Sequence, residues 1–405
     1  MFNVSLRQKN GNKTSGSNQL SARQLSPVFI FATLSGKMSD AVFGTLRHLA
    51  EYTMGIMVKE NLFFPINEAA KPFFVGMNFG GAYLKIGVID NDGRTVSFFA
   101  TPHHGERGPD EAMKHAALAL NEAIDKTGTT LKSIETAGYS FPGALNPKTE
   151  QIYRPPNFPD WCDYPIVAKL TEYTGLKSVT FSNNANAAAY AEYWVGAAKG
   201  AQSVCLLLLD TGIGCGIIVE GRDIRGANGF GGEFGHMIVD PSPGARWCGC
   251  LQQGHLEAYC SALAVARRTK ELLEVGQPTS LRDSVTPEDG LFTIARKVYE
   301  EAEKGDTWAT HIILDTARFL GLAIVTLLHT IDPEYVLIGG EMMFGGKGTR
   351  VGDMFLARIR QEIEERAIQG LGQNLKLDFA ALGSFASMIG AAGLAREEAS
   401  MFSVV

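Results

Sequence analysis

The sequence predicts an α/β protein made of two related lobes with a cleft between them. A strand, a glycine-rich turn and a second strand occur near residues 73–90, and the same order returns near residues 203–220. Segments with helical periodicity follow these strands in both halves. A unit that occurs twice in this way is typical of two similar lobes, because each copy builds its own layered core.

Length and composition agree with this class. The 405 residues are enough for two or three compact units. The 45% hydrophobic and 20% charged content excludes a disordered or membrane-spanning chain. A net charge of −6 offers no global basic field for nucleic acid or an anionic membrane. Six cysteines are too few for a disulfide framework, and no secretory signal is convincing, so we expect a reduced, cytoplasmic protein.

The chain divides into three parts. Residues 1–72 form an N-terminal extension, with a polar, basic tail over 1–26 and a helix predicted over 39–60 from the spacing of its apolar residues. The first lobe is expected over residues 73–200 and the second over residues 201–405.

In the first lobe, apolar runs that end at glycine or asparagine turns predict the strands, and amphipathic periods predict the helices. The predicted strands are Phe73–Met77, Leu84–Asp90, Arg94–Ala100, Ser133–Ser140 and Ser178–Phe181. The predicted helices are 109–126, 164–174 and a helix that opens at Asn184–Asn186 and runs through 187–198.

The second lobe repeats the opening strands and then becomes mainly helical. The predicted strands are Ser203–Asp210, Ile217–Glu220 and Tyr335–Ile338. The predicted helices are 256–276, 288–304 and 306–331. The segment between the first two strands, residues 211–216, is predicted as a glycine turn.

Each lobe therefore has one glycine turn that can approach phosphate. Backbone amides in such turns can contact phosphate oxygens because no side chain blocks the approach. Either turn alone fits an ordinary hairpin equally well, but two turns that face each other across a cleft would hold a triphosphate. The candidate phosphate-binding residues are Asn78, Gly80 and Gly81 in the first turn and Thr211, Gly212 and Gly214 in the second.

A cluster of cysteine and histidine residues predicts a zinc site in the second lobe. Two nitrogens and two sulfurs form a tetrahedral set that suits zinc, with His236, Cys248, Cys250 and His255 as ligands. The alternative is a loop whose cysteines and histidines are unconnected. Because all four protein positions are filled, the predicted zinc is structural and holds the ring of His236 for a neighbouring ligand.

That neighbouring ligand is predicted to be a hexose. Sugar recognition needs several rigid hydrogen-bond acceptors around a ring of hydroxyl groups. The candidates are Glu233, His236 and Glu257 from the zinc region, together with Asn183 and Asn184 at the start of a helix. Each glutamate alone is more typical of a solvated surface, and it is their position among the predicted metal ligands that favours a function.

The segment from about residue 73 to residue 397 resembles the ROK family, which contains bacterial glucokinases, other hexose kinases and sugar-responsive transcriptional repressors. The most specific part of the resemblance is Glu233-x-Gly-His236, followed by Cys-x-Cys and Gly-x-Leu-Glu257. The resemblance implies the two-lobed actin-like ATPase (ribonuclease H-like) fold, ATP and Mg²⁺ in the cleft, zinc beside the sugar, and a dimer or tetramer. It implies that Asn183, Glu233, His236 and Glu257 bind the sugar. It also implies that Gly80, Gly81, Gly212, Gly214, Gly339 and Gly340 lie on the nucleotide side.

Four positions depart from the family pattern. The family's first phosphate loop begins with Asp and continues Gly-Gly-Thr, where this chain has Asn78 and Ala82. The family's catalytic motif is Asn-Asp-x-Asn, where this chain has Asn184 in place of Asp. The carboxamide of Asn184 cannot accept the proton of the sugar hydroxyl at neutral pH, and Asn78 lacks a charge that helps to place magnesium. His255 in place of Cys is benign, because imidazole also binds zinc.

Two hypotheses follow from these matches and departures. The first is a glucokinase-type ATP:hexose phosphotransferase, with glucose as the expected sugar and weak activity. The second is a catalytically silent sugar sensor or a sugar-responsive transcriptional regulator, and only this hypothesis calls for DNA as a partner. Family repressors carry an N-terminal winged helix, and residues 1–72 resemble such a head only faintly.

Overall fold

The computed structural model describes residues 64–402, apart from positions 82, 154, 156 and 157. The predicted tail over 1–26, the predicted helix over 39–60 and Ala82 therefore lie outside the described residues. Residues 64–72 pack on the first lobe: the amide of Phe64 donates to the carbonyl of Thr95 at 2.8 Å, and the guanidinium of Arg94 lies 3.9 Å from the centre of the Phe64 ring.

The first lobe is built on a five-stranded mixed sheet. Its strands and a small hairpin are β1 (Phe73–Gly80), β2 (Tyr83–Ile89), β3 (Thr95–Pro102), β4 (Ile134–Phe141), β5 (Ala144–Leu145), β6 (Ile152–Tyr153) and β7 (Val179–Asn183). Its helices are α1 (Pro109–Asp125), α2 (Ile166–Thr174) and α3 (Asn184–Trp194). The sheet order is β3-β2-β1-β4-β7, with antiparallel pairing from β1 to β3 and parallel pairing from β1 through β4 to β7.

The second lobe repeats this arrangement. Its strands are β8 (Ser203–Leu209), β9 (Ile213–Val219), β10 (Arg222–Asp223), β11 (Tyr335–Gly339) and β12 (Lys376–Phe379). Its helices and the last helix of the chain are α4 (Glu257–Cys260), α5 (Ala262–Glu274), α6 (Leu281–Ser284), α7 (Leu291–Glu303), α8 (Thr307–Ile331), α9 (Arg350–Arg366) and α10 (Ala386–Phe402). The order β10-β9-β8-β11-β12 matches the first sheet strand for strand, so the doubled pattern is present in the fold.

Each sheet has its own hydrophobic core. One core is formed by side chains between Phe73 and Phe181, and the other by side chains between Cys205 and Phe379. Helix α8 has the length and composition of a membrane-spanning helix, but 67% of its most apolar window is buried inside the protein. Its contacts with α7 and α9 identify it as a core helix of the second lobe.

Helix α3 lies between the two halves, and its small side chains make this position possible. It packs against β8 and β9 on one side and against α10 on the other. A Cβ added at Gly216 would lie 2.2 Å from the carbonyl oxygen of Ala185, and one at Gly214 would lie 2.9 Å from the Ala185 Cβ. The alanine-rich sequence of α3 and the glycines of β9 therefore allow the helix backbone to approach the second sheet closely.

Three sequence expectations change in the structure. The single helix predicted over 256–276 is two helices, α4 and α5, because Ser261 between them has an extended backbone and its side chain caps α5. The glycine turn is shorter than residues 211–216, because β9 begins at Ile213 and Gly214 lies within the strand. The last helix, α10, follows the second lobe in sequence but packs against β1 and β4 of the first sheet. Its close approach depends on Gly76 and Gly138, where an added Cβ would lie 1.9 Å and 1.8 Å from α10 carbonyl oxygens. The boundaries 73–200 and 201–405 therefore miss this return of the chain.

The contact between α3 and α10 gives a stability prediction. A Cβ at Gly390 would lie 1.6 Å from the carbonyl oxygen of Ala187, so Gly390→Ala must separate the two helices. We expect a loss of at least about 2 kcal/mol in the free energy of unfolding, measured by urea denaturation. The control is Gly244→Ala, because an added Cβ there meets no atom within 4 Å. Equal stability of the two variants would contradict the packing argument.

Candidate active site

Two asparagines form a hydrogen-bonded pair at the end of β1. The Nδ2 of Asn78 donates to Oδ1 of Asn184 at 2.9 Å and lies 3.0 Å from Oγ of Ser140. The Nδ2 of Asn184 donates in turn to the carbonyl of Phe79 at 3.2 Å. Both bonds use amide N–H donors, which an ionised aspartate does not have. The two departures from the family motif therefore fit each other and form one neutral network.

The start of α3 positions Asn184. Asn183 caps this helix, since its Oδ1 accepts from the amide of Ala185 at 2.7 Å. Its Nδ2 donates to the carbonyl of Gly143 at 3.0 Å and holds the chain just after β4. Asn183 thus has a structural role as a helix cap, and its contact with a sugar stays a prediction.

The four predicted zinc ligands lie together. One ligand atom from each of His236, Cys248, Cys250 and His255 lies within 4.8 Å of all the others. The Sγ of Cys250 lies 3.2 Å from Nδ1 of His255, and Nδ1 of His236 lies 3.7 Å from Sγ of Cys248. Two thiols and two imidazoles within this distance form a donor set that fits a tetrahedral zinc ion.

The thiol of Cys248 belongs to both the metal cluster and the predicted sugar site. Burial raises its pKa to about 12, and the neighbouring charge of Glu257 acts in the same direction. Its Sγ donates to Oε1 of Glu257 at 3.3 Å. A cation among the four ligands would favour the thiolate and release this proton, because metal binding requires a deprotonated cysteine.

Three of the predicted sugar-binding residues, Glu233, His236 and Glu257, lie at this cluster, whereas no hydrogen bond or ion pair joins Asn183 or Asn184 to it among the described residues. The Nε2 of His236 lies 3.7 Å from Oε2 of Glu233, so the ring presents Nδ1 to the cysteine and Nε2 to the glutamate. Burial raises the pKa of Glu233 and the charge of Glu257 raises it further, while His236 opposes the shift. Oε2 of Glu257 accepts from the amide of Ile213 at 3.1 Å, at the end of the second glycine turn. The structure brings Glu233, His236 and Glu257 together.

The glycines on the predicted nucleotide side lack a side chain for different physical reasons, namely an open backbone, space for a neighbouring side chain or a positive φ. Gly81 has φ of +58°, and an added Cβ would meet nothing within 4 Å, so its backbone faces open space. Gly212 leaves room for Glu257, whose Oε2 would lie 2.3 Å from an added Cβ. Gly340 has φ of +98° beside the carbonyl of Leu209.

The other predicted phosphate-binding residues lie at the ends of β1, β8 and β11. Gly80 lies against the Asn78 and Asn184 side chains, where an added Cβ would stand 3.3 Å from both. Thr211 is exposed in the turn after β8, and Gly339 ends β11. Contacts of these residues with phosphate stay predictions, and Gly81 has the geometry that suits one best.

The structure adds three charged residues that the sequence analysis does not identify. Lys85 on β2 is the register partner of Asn78, and its pKa is lowered by burial, against the opposing charges of Glu341 and Asp210. The pKa of Asp210 is raised by burial, and its Oδ1 accepts from the amide of Glu341 at 2.9 Å. The signal in the sequence is one lysine within the apolar run of residues 84–89.

The fold and the cleft define a two-lobed α/β protein of the actin-like ATPase class. The model of the ROK family matches residues 74–398. A glucokinase from Halalkalibacterium halodurans is 31% identical over 326 residues, which cover 80% of this chain and 96% of that protein. The chain therefore belongs to the ROK family.

The relatives include both enzymes and repressors. A ROK family glucokinase from Streptomyces griseus, solved in complex with glucose and AMPPNP, is 28% identical with a TM-score of 0.65 over 80% of this chain and 99% of that chain. A xylose repressor from Caldicellulosiruptor bescii is 26% identical over 323 residues, which cover 78% of this chain and 76% of that protein. Family membership alone leaves both classes open.

The metal cluster gives a direct prediction. We expect the purified protein to hold about one zinc ion per chain and Cys250→Ser to lose most of it, because a tetrahedral site tolerates the loss of one ligand poorly. The matched control is Cys162→Ser, since Cys162 is exposed and lies outside the cluster. Zinc content is measured by mass spectrometry together with the melting temperature. Equal zinc content in the two variants would refute the site.

Proposed function

We propose that this protein catalyses slow ATP-dependent phosphorylation of a hexose, with glucose as the first candidate. The observation that carries the proposal is the placement of Asn184. Its motif corresponds to the family's catalytic position, and Glu233, His236 and Glu257 lie near one another beside the second glycine turn. The similarity to glucokinases, one of them solved with glucose and AMPPNP, supports this substrate pair.

In this mechanism the protein acts mainly by holding the sugar and the phosphate groups in position for transfer. Glu233 and Glu257 accept hydrogen bonds from the sugar hydroxyls, His236 donates one through its Nε2–H group, and the Gly81 turn offers backbone amides to phosphate oxygens. Mg²⁺ bound with ATP supplies charge neutralisation of the phosphates. Asn184 can hydrogen-bond the attacking hydroxyl but cannot hold its proton, so the proton passes to solvent as the sugar oxygen bonds the γ-phosphorus and ADP leaves. Loss of a general base commonly lowers a rate by about 10²–10⁴, so turnover is expected to be weak.

Zinc has a structural role in this proposal. The four ligands would fill the coordination sphere and leave no position for a water molecule. The ion would hold the Nδ1 side of His236, and it would thereby fix Nε2 towards Glu233 and the sugar. The residues in the loop then form a rigid set of hydrogen-bonding groups, with the carboxylates as acceptors and His236 as a donor, before the sugar arrives.

A second candidate is a sugar sensor without catalysis, in its extended form a transcriptional regulator. The network between Asn78 and Asn184 favours it, because both carboxamides are engaged with each other and with the backbone of Phe79. The similarity to a xylose repressor supports the same class. DNA as a partner and assembly into a dimer or tetramer remain predictions.

The kinase and the sensor can be distinguished by restoring a general base at position 184. Asn184→Asp is expected to raise the turnover of glucose phosphorylation by about 10²–10⁴, measured in a coupled assay with glucose, ATP and Mg²⁺. The matched control is Asn146→Asp, which adds the same charge in a turn where Oδ1 already accepts from the amide of Lys148. The control is expected to keep the wild-type rate.

The outcomes assign the function. Weak turnover in the wild type and a large gain in Asn184→Asp support the kinase. If neither protein forms sugar phosphate while glucose raises the melting temperature, the protein is a sensor. Gel shifts of the full chain with and without sugar then distinguish a DNA-binding regulator from a plain sensor. A protein that neither responds to any monosaccharide nor phosphorylates one would contradict both candidates.

A further inference from the structure

Lys85 occupies a position next to the centre of the cleft. In the antiparallel pair of β1 and β2, Lys85 stands directly opposite Asn78. Side chains of such paired residues lie on the same face of a sheet, with Cβ atoms about 5 Å apart. Asn78 points to Asn184, so Lys85 leaves the sheet on the face that carries the catalytic position.

The ammonium group of Lys85 lies where the two lobes meet. Its Nζ donates to the carbonyl oxygen of Ser384 at 3.1 Å, in the turn that leads into α10. The charges of Asp210 and Glu341, both from the second lobe, act on it across the cleft. These two acids directly adjoin predicted phosphate-binding residues, since Asp210 precedes Thr211 and Glu341 follows Gly340.

The positive charge and the flexible side chain of Lys85 both favour binding of a polyphosphate. Asn78 contributes no charge at the end of β1, whereas the neighbouring lysine contributes a positive one. An ammonium group is a flexible point charge with three donors, which is a common way for proteins to bind phosphate. A single hydrogen bond to a main-chain carbonyl leaves two of its three N–H groups for a ligand.

We propose that Lys85 binds the phosphate groups of the nucleotide in this cleft. The proposal rests on the proposed function, because it takes a nucleoside triphosphate as the ligand. Without the nucleotide, the ammonium is held by Ser384 and by the fields of Asp210 and Glu341. With the nucleotide, it pairs with non-bridging phosphate oxygens and supplies positive charge beside the uncharged Asn78.

The test is isothermal titration of the full-length protein with Mg–AMPPNP and, separately, with adenosine. Lys85→Met removes the charge and keeps much of the aliphatic stem. We expect its dissociation constant for Mg–AMPPNP to rise by about 10- to 100-fold, as for the loss of a hydrogen bond to a charged group. Adenosine has no phosphate, so its binding should be unchanged. Lys85→Arg, which keeps the charge, should recover part of the affinity.

A matched control separates a local effect from a general change in charge. Lys132 is exposed on the same lobe, in the turn that precedes β4. It lies at the opposite end of that strand from Ser140, roughly 20 Å along the strand. Lys132→Met should bind Mg–AMPPNP like the wild type. Glucose-induced shifts in melting temperature show whether each variant is folded.

Failure of the inference differs from failure of the proposed function. If the wild type binds Mg–AMPPNP and Lys85→Met binds it equally well or more tightly, Lys85 does not bind phosphate and the inference is wrong. Equal losses for Mg–AMPPNP and adenosine would also overturn it, because the effect would then not depend on phosphate. If the wild type binds no nucleotide at all, the kinase proposal falls and the inference falls with it.

Discussion

The hydrogen bond between Asn78 and Asn184 joins the elements that shape the cleft. Asn78 lies two residues before the end of β1 and Asn184 begins α3, and the same group of residues includes Ser140 on β4 and Ser387 on α10. The hydroxyl of Ser387 donates to the carbonyl of Asn184 at 3.0 Å. Two carboxylates in place of the carboxamides would have no N–H donors for these bonds and would repel each other. The neutral pair therefore gives a structural reason for two substitutions that look like separate losses in the sequence.

A second connection couples the metal cluster to the phosphate side. Glu257 accepts from Cys248 through one oxygen and from the amide of Ile213 through the other. One carboxylate thus touches a predicted zinc ligand and the second glycine turn at once. A change in metal occupancy would alter the position of this turn, because one side chain, that of Glu257, makes both contacts. Glu257 therefore connects the predicted sugar-binding region with the second glycine turn.

The sequence predicts the family, the doubled α/β pattern and the cysteine–histidine cluster, because each has a local signature. Short-range patterns predict the strands from Phe73 to Ile338 within a few residues, except the two-residue strands β5, β6 and β10, which they miss. They give no element beyond residue 341, so α9, β12 and α10 are found only in the structure. The return of α10 to the first sheet depends on glycines far apart in sequence, such as Gly76 and Gly138, and their close approach has no local signal. The position of Lys85 opposite Asn78 likewise requires the strand register, which the sequence alone leaves open.

The central claim is that position 184 holds a neutral carboxamide and that no carboxylate takes the proton in its place. The pH dependence of kcat at saturating glucose and Mg–ATP tests this claim most directly. We expect the wild-type profile to lack an acidic limb that belongs to a general base, and Asn184→Asp to acquire one, since only the variant has a group that must be deprotonated to act. The same acidic limb in both proteins would show that another residue serves as the base, and it would contradict the claim.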